Sequence, residues 1–260
     1  MKTSKIIVAV SFLLMAFTLP PKHINIYMIG DSTMCLYGND QRPVTGWGMP
    51  FADYFDNTVT IKNMAKGGRS TRTFVGENRW VPIVDSLQAG DYVLIQFGHN
   101  DESNAPQYAD RYTPVDDYKK YLIKFITESR GKNAIPVLIT PVTRRNFDKD
   151  GKIKETHLEY SNAVREIGTT YKVPVIDLDE RSRELVGKLG PETSKLIYMG
   201  LDTLEHPNYP VGRSDNTHFN EYGARLMAEL VLNEIKNQHL PLADRIVKGQ
   251  NTATVNPQVK

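Results

Sequence analysis

Ser32 stands in Gly30-Asp31-Ser32, directly after Ile24–Ile29, a run whose clustered apolar side chains read as a buried strand. In open parallel α/β sheets, ligands gather outside the carboxyl ends of the strands, so a hydroxyl placed there is a candidate nucleophile. Gly-Asp-Ser is also ordinary turn chemistry, and the reading depends on what else the chain supplies. A serine attacks an acyl carbon only when a base takes its proton, and histidine suits that task near neutrality. Of six histidines, His218 is the best placed, in Asp215-Asn216-Thr217-His218. A carboxylate three residues earlier can meet one imidazole nitrogen and leave the other for a hydroxyl. A helix-capping loop is the competing reading of that block. Acyl transfer also needs donors where the carbonyl oxygen becomes negative. Gly67-Gly68, within Asn63–Ser70, lets a backbone N–H approach a ligand unobstructed, and Asn100, within Gln96–Asp101, offers a side-chain amide.

These groups converge only if the runs preceding them are neighbouring strands. Ile24–Ile29, Val59–Asn63, Tyr92–Phe97, Ile135–Thr140 and Val173–Leu178 have strand length and composition. Val115–Ser129 and Thr156–Tyr171 carry apolar residues at helical spacing, and a last helix covers about Glu221–Asn237. Alternation of strand and helix implies parallel strands, right-handed crossovers and helices on both faces, which is a three-layer α/β/α domain. The irregular pieces Cys35–Trp47, Asp101–Thr113, Arg144–Glu155 and Gly190–Arg213 are expected to wall the site.

Residues 1–20 differ from the rest. Lys2 and Lys5 lead into the apolar run Ile6–Phe17, which is shorter than the roughly 20 residues a membrane-crossing helix needs. The segment reads as a secretory signal peptide, followed by one domain over 21–240 and a polar tail over 241–260 that has little to bury. The expected location is secreted or periplasmic, with no integral membrane segment in the mature chain. Without residues 1–20 the chain has 30 basic and 30 acidic residues, a balance that gives no sign of a nucleic-acid groove. Cys35 is the single cysteine and reads as a small buried residue. There is no His-Glu-x-x-His, cysteine cluster or acidic calcium loop, so no metal or other cofactor is expected.

Taken in order, Gly30-Asp31-Ser32, the glycine of the second block, Gly98-His99-Asn100-Asp101 and Asp215-Asn216-Thr217-His218 resemble the four blocks of the SGNH (GDSL-type) hydrolases. Gly30–Met34, Gly46-Trp47-Gly48, Asn63-x-Ala65-x-x-Gly68-Arg69-Ser70 and Phe97–Asp101 resemble the rhamnogalacturonan acetylesterase branch more closely. The resemblance spans about Ile24–Lys236. It implies a flavodoxin-like, five-stranded parallel sheet of order 2-1-3-4-5, Ser32 as nucleophile, His218 as base and Asp215 as its orienting acid. It also implies an oxyanion hole made by the backbone N–H groups of Ser32 and Gly68, rather than Gly67, with the side chain of Asn100. Asp31 would hold the nucleophile turn.

The implied reaction is removal of acetyl groups from a plant cell-wall polysaccharide, rhamnogalacturonan first, through an acetyl-enzyme. Alternatives are acetylated xylan, another small acyl ester, a lipid or thioester, or carbohydrate binding without catalysis. A polyanionic substrate calls for cations, and Arg69, Arg72, Arg79, Arg144, Arg145 and Arg213 all lie near the expected edge. Trp47 and Trp80 offer flat apolar faces to a sugar. Trp47, Arg69, His99 and Arg213 are the candidate substrate contacts. A structural role competes for each: packing for Trp47, local ion pairing for the arginines and a satisfied buried imidazole for His99. The partner is thus an acetylated poly- or oligosaccharide, bound by an expected monomer.

Overall fold

The computed structural model describes residues 21–247. Five parallel strands, β1 (Ile24–Gly30), β2 (Val59–Asn63), β3 (Tyr92–Gln96), β4 (Ile135–Ile139) and β5 (Val175–Ile176), form one sheet in the order β2-β1-β3-β4-β5. Side chains alternate across it. Ile26 and Met28 of β1 enter one core, whereas Tyr27 and Ile29 enter the other. The second core is covered by α1 (Thr71–Gly76), α2 (Val81–Ser86), α3 (Val115–Gly131) and α4 (Leu158–Tyr171). The first is covered by α5 (Leu178–Thr193) and α6 (Glu221–Asn237). Strands buried on both faces explain why β1, β3 and β4 read as nearly continuous apolar runs.

Several elements depart from the sequence reading. The fifth strand is only Val175–Ile176, because the Asp177 side chain accepts the Glu180 N–H at 3.3 Å and starts α5 there. Helix α5 was not expected, and its regular backbone is interrupted at Gly190 (φ 71°), just before Pro191. The segment Gly190–Arg213, expected to be irregular, contains β6 (Tyr198–Leu201), which pairs antiparallel with β7 (Arg213–Phe219). Asp215 and His218 therefore ride on a strand of a separate two-stranded sheet, not on a capping loop.

The C-terminal boundary also moves. Pro241–Arg245 forms a short 3-10 helix, Leu242 and Ile246 are buried in the first core, and Ile246 bridges to Phe55. The domain thus extends past residue 240 to Val247. Residues 1–20, expected from sequence to be a signal peptide, and residues 248–260 lie outside the described residues.

Candidate active site

The carboxyl ends of β1, β2 and β3 each deliver one group to the same place. After β1 the Asp31 carbonyl accepts the N–H groups of Met34 (3.3 Å) and Cys35 (3.1 Å), closing a tight turn around Ser32. The buried Asp31 carboxylate accepts from the Thr33 N–H at 2.9 Å and hydroxyl at 2.8 Å, so it braces the turn as expected. After β2, Asn63 ties the second block to the first by donating to the Met34 carbonyl at 2.8 Å and accepting the Ala65 N–H at 3.1 Å. After β3, buried Asp101 accepts the N–H and hydroxyl of Thr71 at 2.9 and 2.5 Å, fixing the start of α1 against the Asn100 loop.

Ser32 Oγ lies 2.9 Å from His218 Nε2, and His218 Nδ1 lies 2.7 Å from Asp215 Oδ2. The other Asp215 oxygen accepts the N–H groups of Thr217 and His218 at 2.8 and 3.0 Å. Arg213 donates to Asp215 Oδ2 from Nη2 at 2.6 Å and from Nε at 3.2 Å. Burial works to raise the Asp215 pKa. The His218 contact, the backbone N–H and Arg213 outweigh it and hold the carboxyl well below its ordinary range. A carboxylate that stays ionised keeps the proton of His218 on Nδ1 and leaves Nε2 to accept from Ser32.

Three donors border the hydroxyl. The backbone N–H groups of Ser32 and Gly68 donate to no described residue. Asn100 gives one amide proton to the Arg69 carbonyl at 3.0 Å, which aims the side chain and leaves its second proton for a ligand. Gly68 has φ +78°, a left-handed backbone that suits glycine. Ser32, Gly68, Asn100 and His218 line one cavity of about 370 Å³ together with Arg111 and Arg144. A larger cavity of about 770 Å³ lies beside the β6-β7 hairpin, around Gly200, Leu201 and Arg213, and includes none of these four.

Three of the four expected substrate contacts, Trp47, Arg69 and Arg213, are engaged within the protein, and the fourth, His99, is largely buried. Trp47 is fully buried, donates to Gln96 Oε1 at 2.6 Å and packs edge-on to Phe51, so it has no face for a sugar. The flanking glycines serve that packing: a Cβ on Gly46 would fall 2.1 Å from the Cys35 carbonyl oxygen. Trp80 is likewise buried. The Arg69 guanidinium is spent on Glu77 (3.0 Å) and the Gly67 carbonyl (2.9 Å). Arg213 orients Asp215 and stacks on Tyr209, with 5.2 Å from guanidinium to ring centroid. His99 does line the cavity but is only 3% exposed. It lies 3.4 Å from Asp31 and its ring centre is 4.3 Å from that of His157. Tyr108, Arg111 and Thr217 also line the cavity and were not singled out from sequence. Their signal was position, since Tyr108 and Arg111 fall in a loop expected at this edge.

Two buried groups behind the site titrate in opposition. Burial, and then His157, pushes the His99 imidazole down to about 4 despite Asp31, while burial pushes the Asp101 carboxyl up to about 7. Between about pH 4.5 and 6.5 the unfolded chain protonates His99 and ionises Asp101, whereas the folded chain does neither. Stability therefore rises with pH through His99 and falls through Asp101, each by up to about 1.4 kcal/mol per pH unit. Denaturant unfolding across this window should show a steeper rise with pH in Asp101→Asn than in the unsubstituted protein. Parallel profiles would contradict the assignment.

Residues 26–231 match the GDSL-like lipase/acylhydrolase family. The chain is 41% identical over 229 residues to the rhamnogalacturonan acetylesterase RhgT of Bacillus subtilis, covering 88% of this chain and 97% of that protein. Among solved structures, the B. subtilis protein YxiM superposes with a TM-score of 0.72 at 28% identity, covering 85% of this chain and 58% of that longer chain. An acetylxylan esterase of Geobacillus stearothermophilus superposes with a TM-score of 0.60 at 19% identity, covering 82% of this chain and 94% of that one, a likeness of fold. With the ordered blocks, the sheet order and the site geometry in agreement, the chain belongs to the GDSL-like lipase/acylhydrolase family, in its rhamnogalacturonan acetylesterase-like branch, and is a carboxylic ester hydrolase.

Proposed function

We propose that this protein is a serine esterase that removes acetyl groups from rhamnogalacturonan, a galacturonate-containing pectin, through an acetyl-enzyme. The observation that carries the chemistry is the hydrogen-bonded line Ser32–His218–Asp215, bordered by three open donors. Support for the substrate is the 41% identity to an enzyme named for this reaction.

The ester carbonyl oxygen sits between the N–H groups of Ser32 and Gly68 and the Asn100 amide. Ser32 Oγ attacks the carbonyl carbon while His218 Nε2 takes its proton, and Asp215 stabilises the imidazolium. The tetrahedral intermediate collapses as His218 returns the proton to the departing sugar oxygen. Water then replaces the sugar, and His218 removes its proton as it attacks the acetyl group. Collapse releases acetate and restores the Ser32 hydroxyl. Donors fixed before the reaction act on the charge that develops on oxygen, which makes them worth more than mobile water.

Acetate release measured on acetylated rhamnogalacturonan, homogalacturonan, xylan and 4-nitrophenyl acetate tests the reading. The expected result is the highest kcat/KM on rhamnogalacturonan. A preference for xylan would overturn the substrate, and no turnover of any ester would overturn the reaction. The same reading includes export directed by residues 1–20 and action as a monomer. The supporting features of that segment are Lys2, Lys5 and the apolar run Ile6–Phe17. N-terminal sequencing of the exported protein and its mass in solution test both.

A further inference from the structure

We propose that Arg111 is the specificity residue of the cavity and binds a carboxylate of the substrate, on the acetylated sugar or its glycosidic neighbour. The assignment rests on the esterase function proposed above.

Arg111 differs from the other arginines around Ser32 in having nothing to hold. Arg69 is paired with Glu77, Arg213 with Asp215, and Arg144 with Glu102 at 3.0 Å and the Thr217 hydroxyl at 2.6 Å. The Arg111 side chain makes no hydrogen bond or ion pair to a described residue, and its Nε is buried without a partner. Its Nη1 and Nη2 groups make no hydrogen bond to a described residue and are not among the buried unpartnered atoms, so they are the donors available to a ligand.

The side chain is nonetheless held in place. Its guanidinium lies over the Tyr108 ring, 3.9 Å from the centroid. The backbone around it is pinned by the Arg111 N–H donating to the Tyr108 carbonyl at 3.1 Å and the Thr113 hydroxyl donating to the Arg111 carbonyl at 3.1 Å. Stacking on Tyr108 orients the fork, and its Nη1 and Nη2 end can meet a carboxylate through two parallel hydrogen bonds.

Its position ties that edge to the reacting ester. Arg111 lines the same cavity as Ser32, Gly68 and Asn100, and a Cβ placed on Gly68 would lie 3.9 Å from Arg111 Nη1. An acetyl carbonyl seated on the Gly68 N–H is therefore within one sugar ring of the guanidinium. Neutral acetylated sugars such as those of xylan offer this group no anion. A uronide does. Arg111 thus supplies a physical reason for a pectic substrate that is separate from sequence similarity.

The test is a thermodynamic cycle between Arg111 and the substrate carboxylate. Acetate release is measured for an acetylated galacturonate-containing oligosaccharide and for the same oligosaccharide with its carboxyl groups methyl-esterified. In the unsubstituted protein kcat/KM should favour the free acid by about 10- to 100-fold, mainly through KM, the range of a charged hydrogen-bonded pair. In Arg111→Gln the ratio should fall close to one, and in Arg111→Lys it should lie between, because lysine keeps the charge without the fork. An acid-to-ester ratio unchanged in Arg111→Gln would overturn the assignment and leave the proposed function standing. That outcome includes an equal loss on both substrates, which would mark Arg111 as a stabiliser of the oxyanion. Failure of the unsubstituted protein to deacetylate either oligosaccharide would overturn the function, and the assignment with it. If Arg111→Gln does not fold, the lysine variant decides: a ratio equal to the unsubstituted one overturns the proposal.

Discussion

Ser32→Ala is expected to lower acetate release by about 10⁵- to 10⁶-fold, the range for removing the nucleophile from a serine triad. The substitution deletes one oxygen whose hydrogen bond is to His218 Nε2. Among the described residues, Ser32 carries the one hydroxyl hydrogen-bonded to His218 Nε2. Cys35, three residues on, is buried, and burial pushes its thiol up to about 11, away from the thiolate form. A residual rate survives because the Gly68 and Asn100 donors still polarise the ester and His218 can still assist water. Stability should change by no more than about 0.5 kcal/mol, since the turn is held by the backbone and side chain of Asp31. Kinetics on 4-nitrophenyl acetate with unfolding of the same preparation checks both statements. Turnover within tenfold of the unsubstituted rate would rule out Ser32 as nucleophile.

Asp215→Asn is expected to lower kcat by about 10⁴-fold while leaving the overall geometry intact. The side chain keeps its shape, but its two ends no longer suit their neighbours. If the amide oxygen keeps the two backbone N–H groups of Thr217 and His218, the NH₂ group faces His218 Nδ1 and Arg213. The imidazole must then accept at Nδ1 and carry its proton on Nε2, where it can no longer take one from Ser32. Arg213 meanwhile faces a donor instead of an acceptor, a loss of about 1–3 kcal/mol in stability. In the opposite flip the NH₂ group faces two N–H donors. Both orientations are poor, so the variant should lose activity and stability together. A rate loss below tenfold would show that Asp215 does not set the tautomer of His218.

Ser32 and Asn100 were legible because each follows the end of a strong apolar run. Ile24–Gly30 and Tyr92–Gln96 are buried on both faces and end in glycine-containing turns, a pattern that survives without knowledge of the partners. The β6-β7 hairpin was not legible. Arg213–Phe219 has one fully buried residue, Phe219, and its hydrogen-bonding side chains imitate turn chemistry. Helix α5 was hidden by its charged outer face and by Gly190-Pro191, which reads as a loop. Trp47 misled for a different reason. Glycines beside an aromatic residue can signal close approach by a ligand or by the protein's own backbone, and only the fold shows that Cys35 is what approaches. Arg111 shows the converse limit, because a sequence cannot say which of many arginines lacks an acid.

The acid and base share β7, three residues apart, whereas the nucleophile lies 186 residues before the base. Their mutual geometry is local, set by N–H groups of the same strand. The Ser32–His218 distance is instead the sum of every packing step between the first strand and the hairpin. Catalysis therefore reports completion of folding. In refolding, recovery of esterase activity marks the point at which the sheet and the hairpin are both in place.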